Sequence, residues 1–381
     1  MTMKIAVISR SWPVHERSGV TLAAAQHVRI LAAAGHEVVI IGADAAVLKE
    51  TLPVVERLHV AARGSGALYS PARVDKAELS GALRRLGVGL VLTESWQTAL
   101  TDVAVDVARD LGLPVLMVSH GVSLHPFTPR LRDRLRAWLW GYYRRVTLPA
   151  RVRRLTALTA LDSGSTSLRF HDRDVARRCG VPVLPLVNAP VHRCDYVRPR
   201  GDRRRQVIVV GYYSAVKNQL DALRVMADLP ADIQFCFVGP RRGRYYERCV
   251  RAAEAWGLRD RVQFLEDHEC NLAEEIAASL VLLAPSSTEA LPLTLLEAMA
   301  SGTPFVATPV GAVPQLRAGH LAVDRTAQRD AILRLLEDEV LWQVCSQAGQ
   351  REYRNRYTDE HVRGQLLDAV ARTVALRRRP G

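Results

Sequence analysis

At 381 residues the chain exceeds one ordinary hydrophobic core and suits two domains of roughly 150 to 200 residues each. Although 48% of the residues are hydrophobic, no run of about 18 uncharged apolar residues occurs, so no bilayer-spanning helix is expected. The formal net charge of +13, from 52 Lys and Arg against 39 Asp and Glu, exceeds what solubility asks for and points to an anionic partner.

The opening MTMKIAVISRSW reads as a first strand, because Arg10 interrupts it before a signal-peptide core forms. Six scattered cysteines form no C-x-x-C pair and no metal-ligand spacing, which fits a reducing, cytoplasmic setting. Apolar strands are expected at 4–9, 37–41, 89–93 and 114–119, with an Ala-rich helix at 21–34 and another at 98–110. Strands separated by helices imply a parallel sheet with right-handed crossovers. The stretch 129–154, PRLRDRLRAWLWGYYRRVTLPARVRR, holds nine arginines and one acid, with Leu131, Leu135, Trp138, Leu139 and Tyr142 spaced along one helical face. Such a helix suits an anionic membrane surface, although packing of its apolar face on the first domain is the plainer reading. A Pro- and Arg-containing stretch at 187–205 reads as a linker. A second alternating series follows, with strands at 206–210, 233–238, 262–265, 280–284 and 303–307.

Ligands of open parallel sheets bind beyond the carboxyl ends of strands, so the loop after 280–284 matters most. There the segment 285–314, PSSTEALPLTLLEAMASGTPFVATPVGAVP, carries Glu289, then Pro292 in a first-turn position, then a helix over 293–300 ended by Gly302. The first amides of that helix, at Leu293 and Thr294, lack partners within it and form an anion site suited to a diphosphate. Glu297 lies eight residues beyond Glu289. The two acids flank the phosphate site on this reading; otherwise Glu289 is a capping acid and Glu297 an ordinary surface residue.

E-A-L-P-L-T-L-L-E-A-M-A-S-G-T-P, followed by A-T-x-x-G-A, resembles the E-x7-E signature of retaining family-four glycosyltransferases of the GT-B fold. Other parts of that family's pattern recur in order. The stretch from Ser18 to Ile40 is similar to its first loop, helix and second strand, with Gly19 where backbone approaches the donor phosphates. His120 follows a strand as the family's active-site histidine does, V-N-A-P-V around Asn188 resembles its domain junction, and Lys217 matches its diphosphate-neutralising lysine.

The resemblance implies an α/β GT-B architecture, two Rossmann-like domains with parallel sheets facing a central cleft. The expected division is an acceptor domain over 1–190, a nucleotide-sugar domain over 204–360, and a C-terminal helix at 361–381 returning to the first domain. It implies sugar transfer with retention from a nucleotide-sugar donor to a glycan or lipid-linked acceptor, in cell-envelope polysaccharide or glycolipid synthesis. Glu289 would hold donor-sugar hydroxyls, Glu297 the ribose, His120 the sugar near the reacting centre, and Glu266 to His268 the base. No obligatory metal is implied. The departing phosphate would assist acceptor deprotonation.

Two positions depart from the pattern. Tyr212 stands where the family has an arginine five residues before its lysine, which removes one charge-assisted phosphate contact. Arg10 and Arg17 are candidate substitutes. Gln315 stands where an acid is common. A nucleotide-sugar epimerase or hydrolase, or a non-catalytic nucleotide-sugar-binding protein, are the alternatives. No nucleic-acid module is present, and no G-x-G-x-x-G of a nicotinamide enzyme follows the first strand.

Overall fold

A computed structural model describes residues 2–64, 72–96, 98–120, 138, 141–161, 172–194, 196–266 and 268–378. The chain divides into two units, one of residues 1–188 with 359–381 and one of residues 189–358.

The first unit contains, in order, β1 (Lys4–Ser9), α1 (Gly19–Ala33), β2 (Glu37–Gly42), β3 (Glu56–His59), β4 (Ala62–Arg63), β5 (Arg73–Val74), α2 (Lys76–Leu86), β6 (Leu90–Glu94), α3 (Ala99–Asp110), β7 (Val115–Ser119), α4 (Leu148–Val152), β8 (Ala157–Ala160), α5 (Asp172–Arg178) and β9 (Val183–Pro185). Seven strands form a parallel sheet in the order β3-β2-β1-β6-β7-β8-β9, while β4 and β5 pair antiparallel. Ile5, Ile8, Ile40, Ile41 and Leu92 are fully buried, as near-continuous apolar strands covered on both faces require. Helix α1 begins at a capping box: the Thr21 N–H donates to Ser18 Oγ, and the Ser18 N–H donates to Thr21 Oγ1 at 2.9 Å.

The second unit contains β10 (Arg204–Val210), α6 (Gln219–Ala227), β11 (Gln234–Val238), α7 (Arg244–Ala255), β12 (Val262–Leu265), α8 (Leu272–Ala278), β13 (Ser279–Ala284), α9 (Leu293–Ala300), β14 (Phe305–Ala307), β15 (Gly319–Leu321), α10 (Arg325–Glu337) and α11 (Glu339–Arg356). Its parallel sheet runs β12-β11-β10-β13-β14-β15. Phe235, Phe237, Val281 and Trp342 fill the core, and the Trp342 indole N–H donates to the Leu280 carbonyl at 2.8 Å. The strand expected at 303–307 is shorter, because Pro304 cannot donate to a ladder and the Thr303 hydroxyl is spent on the Ile276 carbonyl at 2.9 Å.

Helix α12 (Asp359–Arg378) closes the chain and packs in the first unit. The Gln26 amide donates to Asp359 at 2.9 Å, the Val187 N–H to Gln365 at 2.9 Å, and Arg377 to the Gly112 carbonyl at 3.1 Å.

Of the stretch 187–205 read as a linker, residues 204 and 205 open β10, and the described residues between 189 and 203 are irregular but stitched to the second unit. The guanidinium of buried Arg203 donates to the carbonyls of Arg198, Ser279 and Ser301 and to the Thr303 hydroxyl, and it lies 4.9 Å from the Trp342 ring centroid. A buried cation with four of its five N–H donors used anchors this segment without a carboxylate partner among the described residues.

The arginine-rich helix expected over 129–154 lies outside the described residues except at 138 and 141–154. Within the described part, Leu148 and Val152 are fully buried, whereas Trp138 is 69% exposed. Arg151 pairs with Asp102 and Arg154 with Asp106, both acids on α3. Part of the basic character here is therefore matched inside the unit. Among the described residues no helix is long and apolar enough to cross a membrane.

Candidate active site

In each sheet the chain leaves a central strand and winds outward in both directions, so each has a switch point where a crevice opens beyond the strand ends. In the second unit it lies between β10, flanked on its other side by β11, and β13. The loop after β10 carries Lys217, and the loop after β13 carries Glu289. The Lys217 ammonium and the Glu289 carboxylate meet there at 2.5 Å, with the lysine side chain 27% and the glutamate side chain 14% exposed. Residues 72 positions apart are thus brought together by the crossover topology.

Both loops are held by their own hydrogen bonds. The Lys217 N–H donates to Ser214 Oγ at 3.2 Å, and the Gln219 side chain receives the Ser214 N–H while donating to the Tyr212 carbonyl at 2.8 Å. The Ser287 N–H donates to the Val216 carbonyl at 2.8 Å, tying the two loops together. Gly311 supplies the remaining constraint. It adopts φ +56, the Ala312 N–H donates to the Ala290 carbonyl at 2.8 Å, and a Cβ at Gly311 would stand 1.8 Å from the Glu289 carbonyl oxygen. Only glycine lets this third loop press on the backbone that carries Glu289.

Leu293 and Thr294 are the first two residues of α9, and Pro292 occupies the cap position with φ −65 and ψ 123, one residue earlier than a first-turn proline. Their amides have no acceptor inside the helix. Glu297 is no surface residue: it is 2% exposed, and its carboxylate accepts the His192 N–H at 3.1 Å. Burial pushes its pKa up to about 7, and the backbone N–H groups of His192 and Val191 oppose that rise only in part. The two glutamates of the motif therefore differ: one is ion-paired at the crevice, the other sits beneath the 191–192 backbone. His268 lies in the turn after β12, 70% exposed, with its Nδ1 3.2 Å from Glu266. Arg241 also reaches this turn, pairing with Glu269 while its N–H donates to Glu266 at 2.9 Å.

In the first unit the switch point falls between β1 and β6. Gly19, expected beside donor phosphates, is the first residue of α1, directly after the Ser18 cap. His120 follows β7, as expected. Its Nε2 lies 2.7 Å from one oxygen of Glu94, whose other oxygen lies 2.8 Å from Nδ1 of His27. Glu94 and His27 have fully buried side chains and His120 is 5% exposed. Burial alone would raise the Glu94 pKa, but the electrostatic pull of His27 and the hydrogen bonds from both imidazoles outweigh it and bring the carboxyl down to about 2.

Sequence reasoning singled out His120 and missed both partners. A signal for Glu94 existed: it ends the otherwise apolar run LVLTE, at the strand end where a buried carboxylate needs a partner. His27, within an Ala-rich helix, offers no such signal.

Comparison with known proteins follows the same division. Residues 204–338 match the family model described as "Glycosyl transferases group 1". The phosphatidyl-myo-inositol mannosyltransferase of Mycobacterium leprae is 34% identical over 164 residues, 41% of this chain and 42% of that protein. The chain thus matches less than half the length of its curated relatives. Among solved structures, sucrose-phosphate synthase from Thermosynechococcus elongatus superimposes with a TM-score of 0.75 over 98% of this chain and 99% of that one, at 20% identity. The fold is GT-B. Anabaena HepE, solved in complex with UDP-glucose, shares this GT-B fold at a TM-score of 0.70 and 15% identity, over 97% of this chain and 100% of that one. In this GT-B chain no group of three or more His, Cys, Asp or Glu has metal-binding geometry among the described residues.

Proposed function

We propose that the chain is a retaining glycosyltransferase that moves a sugar from a nucleotide-sugar donor to a glycan or lipid-linked acceptor in cell-envelope polysaccharide or glycolipid synthesis. The Lys217–Glu289 pair at the switch point of the second sheet, beside the amino end of α9, carries this reading. A diphosphate in that crevice offers the ammonium a new partner, and the hydroxyls of the attached sugar offer one to the carboxylate. Until then each charge offsets the other's desolvation.

In this scheme Lys217 and the amides of Leu293 and Thr294 stabilise the charge that grows on the departing diphosphate, the main electrostatic demand of the reaction. Glu289 orients donor-sugar hydroxyls, Glu297 receives the ribose hydroxyls, and the turn at Glu266 to His268 takes the base. His120 contacts the sugar near the reacting carbon, Gly19 lies close to the phosphates, and the departing phosphate takes the acceptor proton. No metal has a step in this scheme. The UDP-glucose complex of HepE, a protein of the same fold, supports a nucleotide-sugar donor. Peripheral attachment to the inner face of the membrane through 129–154 suits a lipid-linked acceptor.

Thermal-shift screening against nucleoside diphosphates and their sugars identifies the donor, because a ligand of the folded state stabilises it. With that donor, Lys217→Ala is expected to lower transfer at least a hundredfold while the midpoint of unfolding moves little, since a partly exposed ion pair adds at most about 1 kcal/mol. Transfer at the wild-type rate would refute the role of Lys217. Donor binding without turnover in the wild-type chain would favour a binding protein, a reading to which Tyr212 in place of arginine lends support.

A further inference from the structure

We propose that Glu94 is a positioning residue: clamped by His27, it fixes His120 in the Nε2–H tautomer and leaves His120 Nδ1 as a hydrogen-bond acceptor for a substrate hydroxyl. The inference rests on the glycosyl-transfer reading for the nature of the substrate, but the tautomer itself does not depend on that reading.

With Glu94 ionised, the geometry fixes which nitrogen of each ring faces it with a proton. An ionised carboxylate accepts hydrogen bonds and donates none, so the imidazole nitrogen facing each Glu94 oxygen must carry a proton. That nitrogen is Nε2 in His120, at 2.7 Å, and Nδ1 in His27, at 2.8 Å. In a singly protonated imidazole the second nitrogen then holds a lone pair. For His27 that nitrogen is Nε2, which is buried without a hydrogen-bond partner among the described residues, as suits a lone pair in an apolar helix face. For His120 it is Nδ1.

The carboxylate is held as firmly as the ring it orients. Glu94 ends β6 opposite Val118 of β7, two residues before His120. The next residue, Ser95, takes φ 72, a left-handed conformation rare for a serine, and its N–H donates to the Val118 carbonyl at 2.9 Å. Trp96 donates from its indole to Ser119 Oγ at 2.8 Å, immediately before His120. Backbone strain and two cross-strand hydrogen bonds thus lock the end of β6 against the end of β7, and His27 reaches across from α1 to take the other carboxylate oxygen. A solvated loop histidine would need none of this.

The test is the protonation pattern of His120 in the full chain, read from long-range 1H–15N correlation spectra after selective histidine labelling, with His120→Gln assigning the signal. The wild type is expected to show protonated Nε2 and unprotonated Nδ1. In Glu94→Gln an amide replaces the carboxylate, and its NH2 must face one of the two rings, which then has to present a lone pair there and carry its proton on the other nitrogen, so the tautomer of either His120 or His27 is expected to change. With the donor in hand, that variant is expected to lose at least tenfold in kcat while donor KM stays within about threefold. A Nδ1–H tautomer or a doubly protonated ring in the wild type would overturn the proposal even if Glu94→Gln failed to fold. Unchanged spectra of both His27 and His120 in folded Glu94→Gln would overturn it as well. If no donor supports transfer but the tautomer pattern is as expected, the functional reading fails and the positioning role of Glu94 stands.

Discussion

Replacing Glu297 by glutamine should change how stability depends on pH. The carboxyl is 2% exposed, and its pKa rises from an ordinary 4.5 to about 7 because burial outweighs the two backbone N–H groups it accepts. Between those values the folded chain keeps a proton that the unfolded chain has released. The folded state therefore loses stability as pH rises from 4.5 to 7, and above 7 the loss is complete. At about 1.4 kcal/mol per pH unit, the whole window corresponds to roughly 3 kcal/mol. Glutamine keeps a carbonyl oxygen for the His192 N–H and has nothing to ionise. Urea unfolding of the wild type and Glu297→Gln at pH 5, 6, 7 and 8 measures the difference. The variant is expected to gain on the wild type from pH 5 to 7 and to level off by pH 8, by roughly 2.5 kcal/mol in all. A constant offset between the two at every pH would refute the reasoning. In the proposed donor complex the ribose hydroxyls donate to ionised Glu297, so saturating nucleoside diphosphate should flatten the wild-type slope.

Gly311→Ala places a Cβ 1.8 Å from the Glu289 carbonyl oxygen at a residue with φ +56, so the loop bearing Glu289 must move. A loss of about 2 kcal/mol or more in urea unfolding is expected, together with loss of nucleoside-diphosphate binding by calorimetry; unchanged binding would show that the loop position is immaterial. Tyr212→Arg restores the cation absent from the loop after β10. One charge-assisted hydrogen bond to phosphate is worth about 1.5 to 3 kcal/mol, so calorimetry should show at least tenfold tighter diphosphate binding, whereas no change would mean that another group already fills this role. Replacing Arg130, Arg132, Arg134 and Arg136 by serine removes about 1 kcal/mol of attraction to an anionic surface per residue. Sedimentation with phosphatidylserine-containing vesicles should fall more than a hundredfold, and unchanged sedimentation would refute membrane contact through 129–154.

The strands that build the two sheet centres were legible because they are buried on both faces and therefore read as apolar runs: Lys4–Ser9 begins and ends where its residues predict, and Ser279–Ala284 begins one residue earlier than expected. Three of the four edge strands of the two parallel sheets were not. Glu56–His59 is half-buried and carries three polar side chains, Gly319–Leu321 has three residues, and Val183–Pro185 ends on a proline, so none has enough periodicity to register. Glu297 was legible as a motif residue but not as a buried one. What buries it is the 189–203 segment, and the anchoring of that segment depends on Arg203, which in sequence looks like one more charge in GDRRR.

The two switch points differ in how they are encoded, and the family match, over residues 204–338, covers only the second. In the second unit an acid, a helix start and a buried acid are consecutive features of one stretch, so Glu289, Leu293 and Glu297 keep fixed spacing whatever surrounds them. Only Lys217 comes from elsewhere. In the first unit the polar cluster draws one residue each from α1, β6 and β7, at positions 27, 94 and 120, and each lies in or directly after an apolar run. Spacing along the chain says nothing about their meeting; the sheet order does, because β6 joins β1 to β7 and brings Glu94 between the other two. Such a site becomes visible only once the crossover connections are known, and His120 seen without Glu94 is merely a loop histidine.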